Sequence, residues 1–382
     1  MYGNHKFFEN TMFDTKNFNI EQMKKIGILL LLDKKEYLVD LHVHTHYSAD
    51  GFSTVQQAIN RAVEKGFDII SITDHDSINA YHELIADGSV VIPDSIVVIP
   101  GIEFSVSYPE YEGRCHVLKY FYDTNDVNFQ NALLQNEKAY WTRAHLQFER
   151  IHENRCLQYF FNKYNIDSSI QGYQLFLEKN TVKIPEYDTL ADYLYSLLSP
   201  CGITVWDIFN KAVEVNEFDP CENRKKAKIA AFNKFYNKNS NKDISKRGRK
   251  IRTIIAPVGI DDANYEGYAS SGSLSVNEYG QVPIENLVNT GFNILAHPSE
   301  LKLDCVNRIT DIVSGLELNI RSDEKLNESV NEKAKNMNLL VTRGSDTHSY
   351  LDSLYDDLDF YKMSKKELSQ FANYARQIIY HN

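Results

Sequence analysis

Tyr37-Leu38-Val39-Asp40-Leu41-His42-Val43-His44 is the stretch from which the fold is read. Successive side chains of an extended strand point to opposite faces. Val39, Leu41 and Val43 therefore share one face, and Asp40, His42 and His44 share the other. The apolar face can pack against helices. The other carries two imidazoles two residues apart, able to chelate one ion. By itself a His-x-His pair is equally compatible with two partly exposed polar side chains. His46 continues the alternation but follows Thr45, where the strand ends, and is read as a loop residue and not a ligand.

Outward from this strand, strand-like runs recur at 68–73, 96–103, 116–121, 293–296, 315–319 and 339–342. Helical periodicity appears at 54–65, 284–290, 323–336 and 365–380. Strands alternating with helices imply an α/β fold with a parallel sheet or barrel, and chemistry in such folds gathers at the C-terminal strand ends. Residues 1–35 read as a leader containing a helix near 20–32. Residues 124–252 differ in character, with amphipathic helical stretches at 129–161, 189–198 and 205–215 followed by a polar, basic tract. The expected organisation is a barrel from 36–123 and 253–382, interrupted by a large, mostly helical insertion at 124–252.

Composition excludes several classes. Hydrophobic residues make up 43% of the 382 and charged residues 24%, the profile of an ordinary soluble globular protein. The longest apolar run, 26–32, is too short to span a bilayer, so no membrane association is expected. Cys115, Cys156, Cys201, Cys221 and Cys305 are scattered without paired spacing and read as reduced thiols of a cytoplasmic protein.

The company that His42 and His44 keep points to a metal site. Asp50 follows the first strand, and Thr73-Asp74-His75-Asp76 ends the second. Glu103 ends the third, His116 opens the next, His297 ends a later one, and Gly344-Ser345-Asp346-Thr347-His348 closes the last. Each alone could be a cap or a turn residue. Together they gather imidazoles and carboxylates at one barrel mouth, an arrangement that repels or desolvates itself unless cations are present. Asp40, Asp74 and Asp76 are read as orienting imidazoles by accepting their other N–H, with a helix cap as the competing reading of Asp76.

As an ordered set, Asp40-Leu-His-Val-His44, Ile72-Thr-Asp-His-Asp76, Pro100-Gly-Ile-Glu103, His116-Val-Leu118, Leu295-Ala-His-Pro298 and Gly344-Ser-Asp-Thr-His348 resemble the motifs of the polymerase and histidinol phosphatase family. The resemblance covers about residues 36–123 and 280–350. It implies a distorted (β/α)₇ TIM-like barrel and three metal subsites. His42, His44 and Asp346 would hold one ion, with Glu103 bridging to a second completed by His116 and His297; Asp50, His75 and His348 would hold the third. Two to three divalent ions are implied, and imidazole and carboxylate ligands without thiolate suit Mn²⁺, Zn²⁺ or Fe²⁺. The activity implied is hydrolysis of phosphate esters by a metal-activated hydroxide. Glu103, Asp346 and His348 are expected at the reacting phosphate, with Arg321 and Arg343 near strand ends to grip a second phosphate or a carboxylate.

Charge distribution bears on the substrate. Between Arg224 and Arg252 lie twelve Lys or Arg against a single Asp, in a chain of formal net charge −11. Phe232, Phe235 and Tyr236 interleave with the basic residues, a pattern able to track a nucleic-acid backbone and stack bases. A solvated, salt-bridged loop explains the same tract. The resemblance, by motif style, to phosphoesterases that act on nucleotides implies a nucleoside 3′,5′-bisphosphate or a short nucleic acid as the substrate. Histidinol phosphate is the alternative, and a metal-binding subunit of a nucleic-acid-processing assembly is the alternative of another class.

Overall fold

The computed structural model describes residues 13–48, 51–108, 111–179, 187–215, 226, 282–290, 292–298, 306, 309, 312–351 and 353–381. The chain divides into two compact units, 1–136 with 281–382, and 137–280.

Among the described residues, the first unit is built on a nine-stranded sheet. Its strands are β1 (Glu36–Val43), β2 (Ile69–Ile72), β3 (Val97–Tyr108), β4 (Tyr111–Tyr120), β5 (Val282–Pro283), β6 (Phe292–Leu295), β7 (Gly315–Asn319), β8 (Leu340–Gly344) and β9 (Lys362–Ser364). Hydrogen-bonded neighbours run β8-β7-β6-β4-β3-β2-β1-β9, with β5 beside β3. The row closes on itself: Val43 bridges Thr347 in parallel, His44 N–H donates to Thr347 O at 2.9 Å, and Asp346 N–H donates to His42 O at 2.8 Å. The α/β barrel expected from the sequence is therefore present as a nearly closed sheet. It is not wholly parallel. β3 and β4 pair antiparallel, as do β4 with β6 and β1 with β9. Only two residues separate β3 from β4, whereas a parallel crossover needs a dozen or more.

The helices follow from caps and periodicity. Thr54 starts α2 (Val55–Glu64), its hydroxyl accepting from Gln57 N–H while the Gln57 side chain accepts from Thr54 N–H; this reciprocal box satisfies two orphan donors of the first turn. α2 then buries Val55, Ile59 and Ala62 in a core shared with Ile70, Ile72, Val98 and Ile102. Alternate residues of the same strands face a second core: Val39, Leu41, Ile69, Val97 and Ile99. That core is covered by Met23 and Ile26 of α1 (Thr15–Leu31) and by Leu368, Phe371 and Ala372 of a C-terminal helix (Lys365–His381). With both faces covered, β2, β6 and β7 are buried at every position, so truncating one of their large aliphatic side chains to Ala costs about 2–5 kcal/mol. The helix expected at 284–290 is a 3₁₀ helix, Ile284–Thr290, and that expected at 323–336 runs Glu324–Asn336.

The second unit is helical where it is described, with helices Arg155–Tyr164, Ile170–Lys179, Tyr187–Leu198 and Val205–Glu214. The helix Val127–Glu153 begins in the first unit and ends in the second. The single helix expected over 129–161 is interrupted at Asn154, whose side chain accepts from Leu157 N–H and starts a new one. Phe148 and Tyr173 stack at 5.5 Å in a separate core with Tyr193, Leu194 and Phe209. Apart from Lys226, the basic tract from Arg224 to Arg252 lies outside the described residues. No described helix is long and apolar enough to cross a membrane.

Candidate metal centre

Eight of the nine expected ligands meet at one end of the barrel; the ninth, Asp50, lies outside the described residues. Glu103 is at their centre and fully buried. Its Oε2 lies 3.1 Å from His42 Nε2, His44 Nε2 and His75 Nδ1. Its Oε1 lies 3.0 Å from His116 Nδ1 and 3.2 Å from His297 Nε2. Asp346 Oδ1 lies 3.2 Å from His44 Nε2 and 3.5 Å from His42 Nε2. The His348 ring stacks on His44 at 4.4 Å, with His75 on His44 at 4.6 Å. Three groups each bring one donor atom per residue within 4.8 Å of the others: His42, His44, Glu103 and Asp346; His75, Glu103 and His116; and His44, His75 and His348.

Strand geometry explains the convergence. Alternation places His42 and His44 on one face of β1. Glu103 is fixed at its level by N–H to Asp74 O at 3.2 Å and by Asp76 N–H to its own carbonyl at 2.9 Å. His297 and Asp346 sit just beyond β6 and β8 in the left-handed region, with φ of 27° and 52°. Such backbone is uncommon for residues other than glycine and persists where surrounding bonds fix it.

The outer nitrogens of several rings are committed as donors. Glu317 Oε1 lies 2.7 Å from His42 Nδ1. Ser48 Oγ lies 2.8 Å from His44 Nδ1, and because that hydroxyl donates to Asp74 Oδ1 at 2.9 Å it is left to accept from the ring. Asp346 O lies 2.9 Å from His348 Nδ1, and a carbonyl can only accept. In a neutral imidazole one nitrogen donates and the other carries a lone pair. These partners therefore leave the Nε2 lone pairs of His42 and His44 facing Glu103 and Asp346.

Lone pairs and anionic oxygens held about 3 Å apart in a buried site need positive charge between them. With protons alone, burial opposes charging His44, but Asp346 and Glu103 outweigh it and raise its pKa to about 10. Burial likewise opposes the ionised form of Glu103, while His42, His75 and His116 hold its pKa well below the usual carboxylate range. The donor set fits divalent cations: inward lone pairs, a central carboxylate able to bridge, and no thiolate.

Not every expected residue reaches this centre. The imidazoles are oriented chiefly by Glu317, Ser48 and a backbone carbonyl, and not as expected by the aspartates. Asp40 accepts from His42 N–H, Ser345 N–H and Tyr355 O–H. Asp74 accepts from Thr45 and Ser48, so it acts on His44 through Ser48. Asp76 accepts from Ser105 N–H and Asn136 Nδ2, and the short helix after it, Asn79–His82, has no side-chain cap. Arg321 stands beside Asp346, donating from Nη2 to Asp346 O at 2.8 Å and from Nε to Ser345 O at 3.3 Å, with its side chain 46% exposed. Arg343 is turned elsewhere: strand alternation carries it to the far face of β8, where Nη2 meets Glu367 of the C-terminal helix at 3.3 Å. His46 is exposed and packs on Tyr47 at 4.2 Å; it belongs to none of the three donor groups. Glu317 was not among the expected residues. Its signal was a glutamate inside an otherwise apolar strand, Gly315-Leu316-Glu317-Leu318, all of it buried.

Residues 40–199 match the model of the PHP domain. A probable phosphatase of Proteus mirabilis is 37% identical over 84 residues, 21% of this chain and 34% of that protein. The probable phosphatase YcdX of Escherichia fergusonii is 34% identical over 96 residues, 24% of this chain and 38% of that protein. The chain thus matches little more than a third of the length of these curated relatives. A candidate metal-dependent phosphoesterase of Bifidobacterium adolescentis, solved as a crystal structure, superposes with a TM-score of 0.50 at 19% identity, covering 82% of this chain and 89% of that one. That likeness supports an α/β barrel as the fold.

Proposed function

We propose that this chain is a metal-dependent phosphoesterase holding two to three divalent ions, Mn²⁺, Zn²⁺ or Fe²⁺. The observation that carries this is the convergence of five imidazoles on the two oxygens of Glu103. His42, His44 and Asp346 would hold one ion, Glu103 would bridge to a second with His116 and His297, and His75 and His348 with Asp50 would hold a third. When bound, such ions offset phosphoryl charge and make water nucleophilic near neutral pH.

The chain's own residues supply the rest. Glu103, buried and fixed through its backbone on both sides, keeps the donor atoms in register. Asp346 and His348, at the more open end of the cluster, stand closest to an entering phosphate; their side chains are 18% and 22% exposed. Arg321, anchored beside Asp346 and half exposed, is placed to bind an anionic oxygen of the substrate. Arg343 is assigned no part, because its guanidinium is paired with Glu367.

The substrate proposed is a nucleoside 3′,5′-bisphosphate or a short nucleic acid. Its support is the basic, aromatic-interleaved tract from Arg224 to Arg252. Initial rates on an aryl phosphate, a nucleoside bisphosphate, a short oligonucleotide and histidinol phosphate test it. The reading expects metal-dependent turnover of the aryl phosphate and the highest kcat/KM on a nucleotide substrate. Preference for histidinol phosphate overturns the substrate, and failure on every ester overturns the activity.

A further inference from the structure

We propose that Glu317 is a positioning residue that sets the proton on His42 and the backbone of His297 together, coupling two metal subsites. The inference rests on the metal-site reading above and assigns a role to a residue outside the ligand set.

Glu317 lies in β7, 1% exposed. Its two oxygens serve two members of the cluster that come from different strands. Oε1 is 2.7 Å from His42 Nδ1, and Oε2 accepts from His297 N–H at 2.7 Å. The two carboxylate oxygens accept, one from each group, which keeps the His42 hydrogen on Nδ1. The Nε2 lone pair is then free for a cation. The second bond holds His297 at a φ of 27°, a conformation that needs such support and that sets where its ring meets Glu103. Space at the site is matched to this one side chain. A Cβ added at Gly344 would stand 2.0 Å from Glu317 Oε1 and 2.4 Å from His42 Cβ, so the close approach of β8 to the Glu317–His42 pair requires a glycine there.

Glutamine fills the same volume but offers one acceptor and one donor group. It cannot accept from both His42 Nδ1–H and His297 N–H. If its amide N–H faces His42, the ring hydrogen moves to Nε2 and the inward lone pair is lost. Aspartate keeps two acceptors on a shorter stem. A role in filling space predicts that Glu317→Gln is the milder change. A role in accepting two hydrogen bonds predicts that Glu317→Asp is the milder.

The test is Zn²⁺ and Mn²⁺ affinity by chelator competition in the full chain, with the His42 Nδ1–H proton resonance followed in the zinc-loaded protein. The proposal expects a 10–100-fold loss of affinity in Glu317→Gln, partial recovery in Glu317→Asp, and a downfield Nδ1–H signal in wild type that vanishes in the glutamine variant. Wild-type affinity in Glu317→Gln, or a larger loss in Glu317→Asp than in Glu317→Gln, overturns it. Should Glu317→Gln fail to fold, loaded wild type decides alone: His42 carrying its proton on Nδ1 supports the proposal, and on Nε2 overturns it. Neither readout depends on hydrolysis. A wild type that binds metal yet cleaves no phosphate ester defeats the phosphoesterase reading and leaves this one standing.

Discussion

Glu103 and Lys119 lie one register position apart on the β3–β4 hairpin, where Ile102 pairs opposite Lys119. Both side chains are fully buried, and the protein treats them in opposite ways. Glu103 is ringed by five imidazoles whose donor atoms all point at it. Among the described residues, Lys119 meets neutral oxygens, Asn293 Oδ1 at 2.9 Å and Leu287 O at 3.4 Å. Burial, only weakly opposed by Asp126, lowers its pKa to about 7. One buried charge is kept and surrounded by groups able to bind cations. The other is driven toward its neutral form and ties the sheet to the 3₁₀ helix at Ile284–Thr290. Burial of an ionisable group therefore does not by itself mark a site; the chemistry of its neighbours does.

Removing the charge at the centre of the cluster is the strongest way to break this contrast. Glu103→Ala is expected to lower kcat/KM by roughly a thousandfold or more, because the Lewis-acid contribution it anchors is worth several kcal/mol. Asp50→Ala, which on the proposed reading would empty one subsite, is expected to retain more activity. Equal residual rates in the two variants would count against Glu103 as the bridge. The contrast within one histidine series is the next largest: His44→Ala should lose both metal and turnover, while the exposed His46→Ala should stay within about 0.5 kcal/mol of wild type. An inactive His46 variant would show that the wrong histidine had been assigned.

Lys119 gives the effect most specific to one group, read on stability and not on turnover. Its folded pKa of about 7 lies below its ordinary 10.5, so between these values the unfolded chain binds a proton that the folded chain does not. Stability rises with pH across that window, by up to about 1.4 kcal/mol per pH unit, and the burial penalty is greatest below it. Lys119→Met removes the titration and keeps most of the volume. The difference in unfolding free energy between wild type and Lys119→Met should therefore shift in favour of wild type as pH rises from 7 toward 10. A difference that stays flat over this range means the lysine remains charged in the fold.

Much of the candidate site was legible because the donor residues recur on or just beyond strand-like runs and the period of two assigns their faces without tertiary information, although Glu103, expected at a strand end, lies inside β3 (Val97–Tyr108). The same rule explains two limits. Arg343 sits near a strand end, but alternation turns it toward Glu367, and proximity in sequence to Gly344 carried no information about facing. Glu317 carried a local signal, a glutamate in an otherwise apolar strand, but its partners, His42 and His297, are reached by long-range bonds that the pattern does not name. The antiparallel β3–β4 hairpin was obscured for a related reason: strand runs mark extended chain but not its direction relative to a neighbour. Asp74 was placed in the right neighbourhood, although it reaches His44 through the Ser48 hydroxyl and not directly.

The most direct test of the central claim is elemental analysis of the full chain purified without chelator, then repeated after incubation with Mn²⁺ or Zn²⁺. Two to three ions per chain are predicted, with the number falling in His44→Ala and unchanged in His46→Ala. Fewer than one ion per chain after incubation would contradict the account, leaving the imidazoles around Glu103 as a cluster held together by protons.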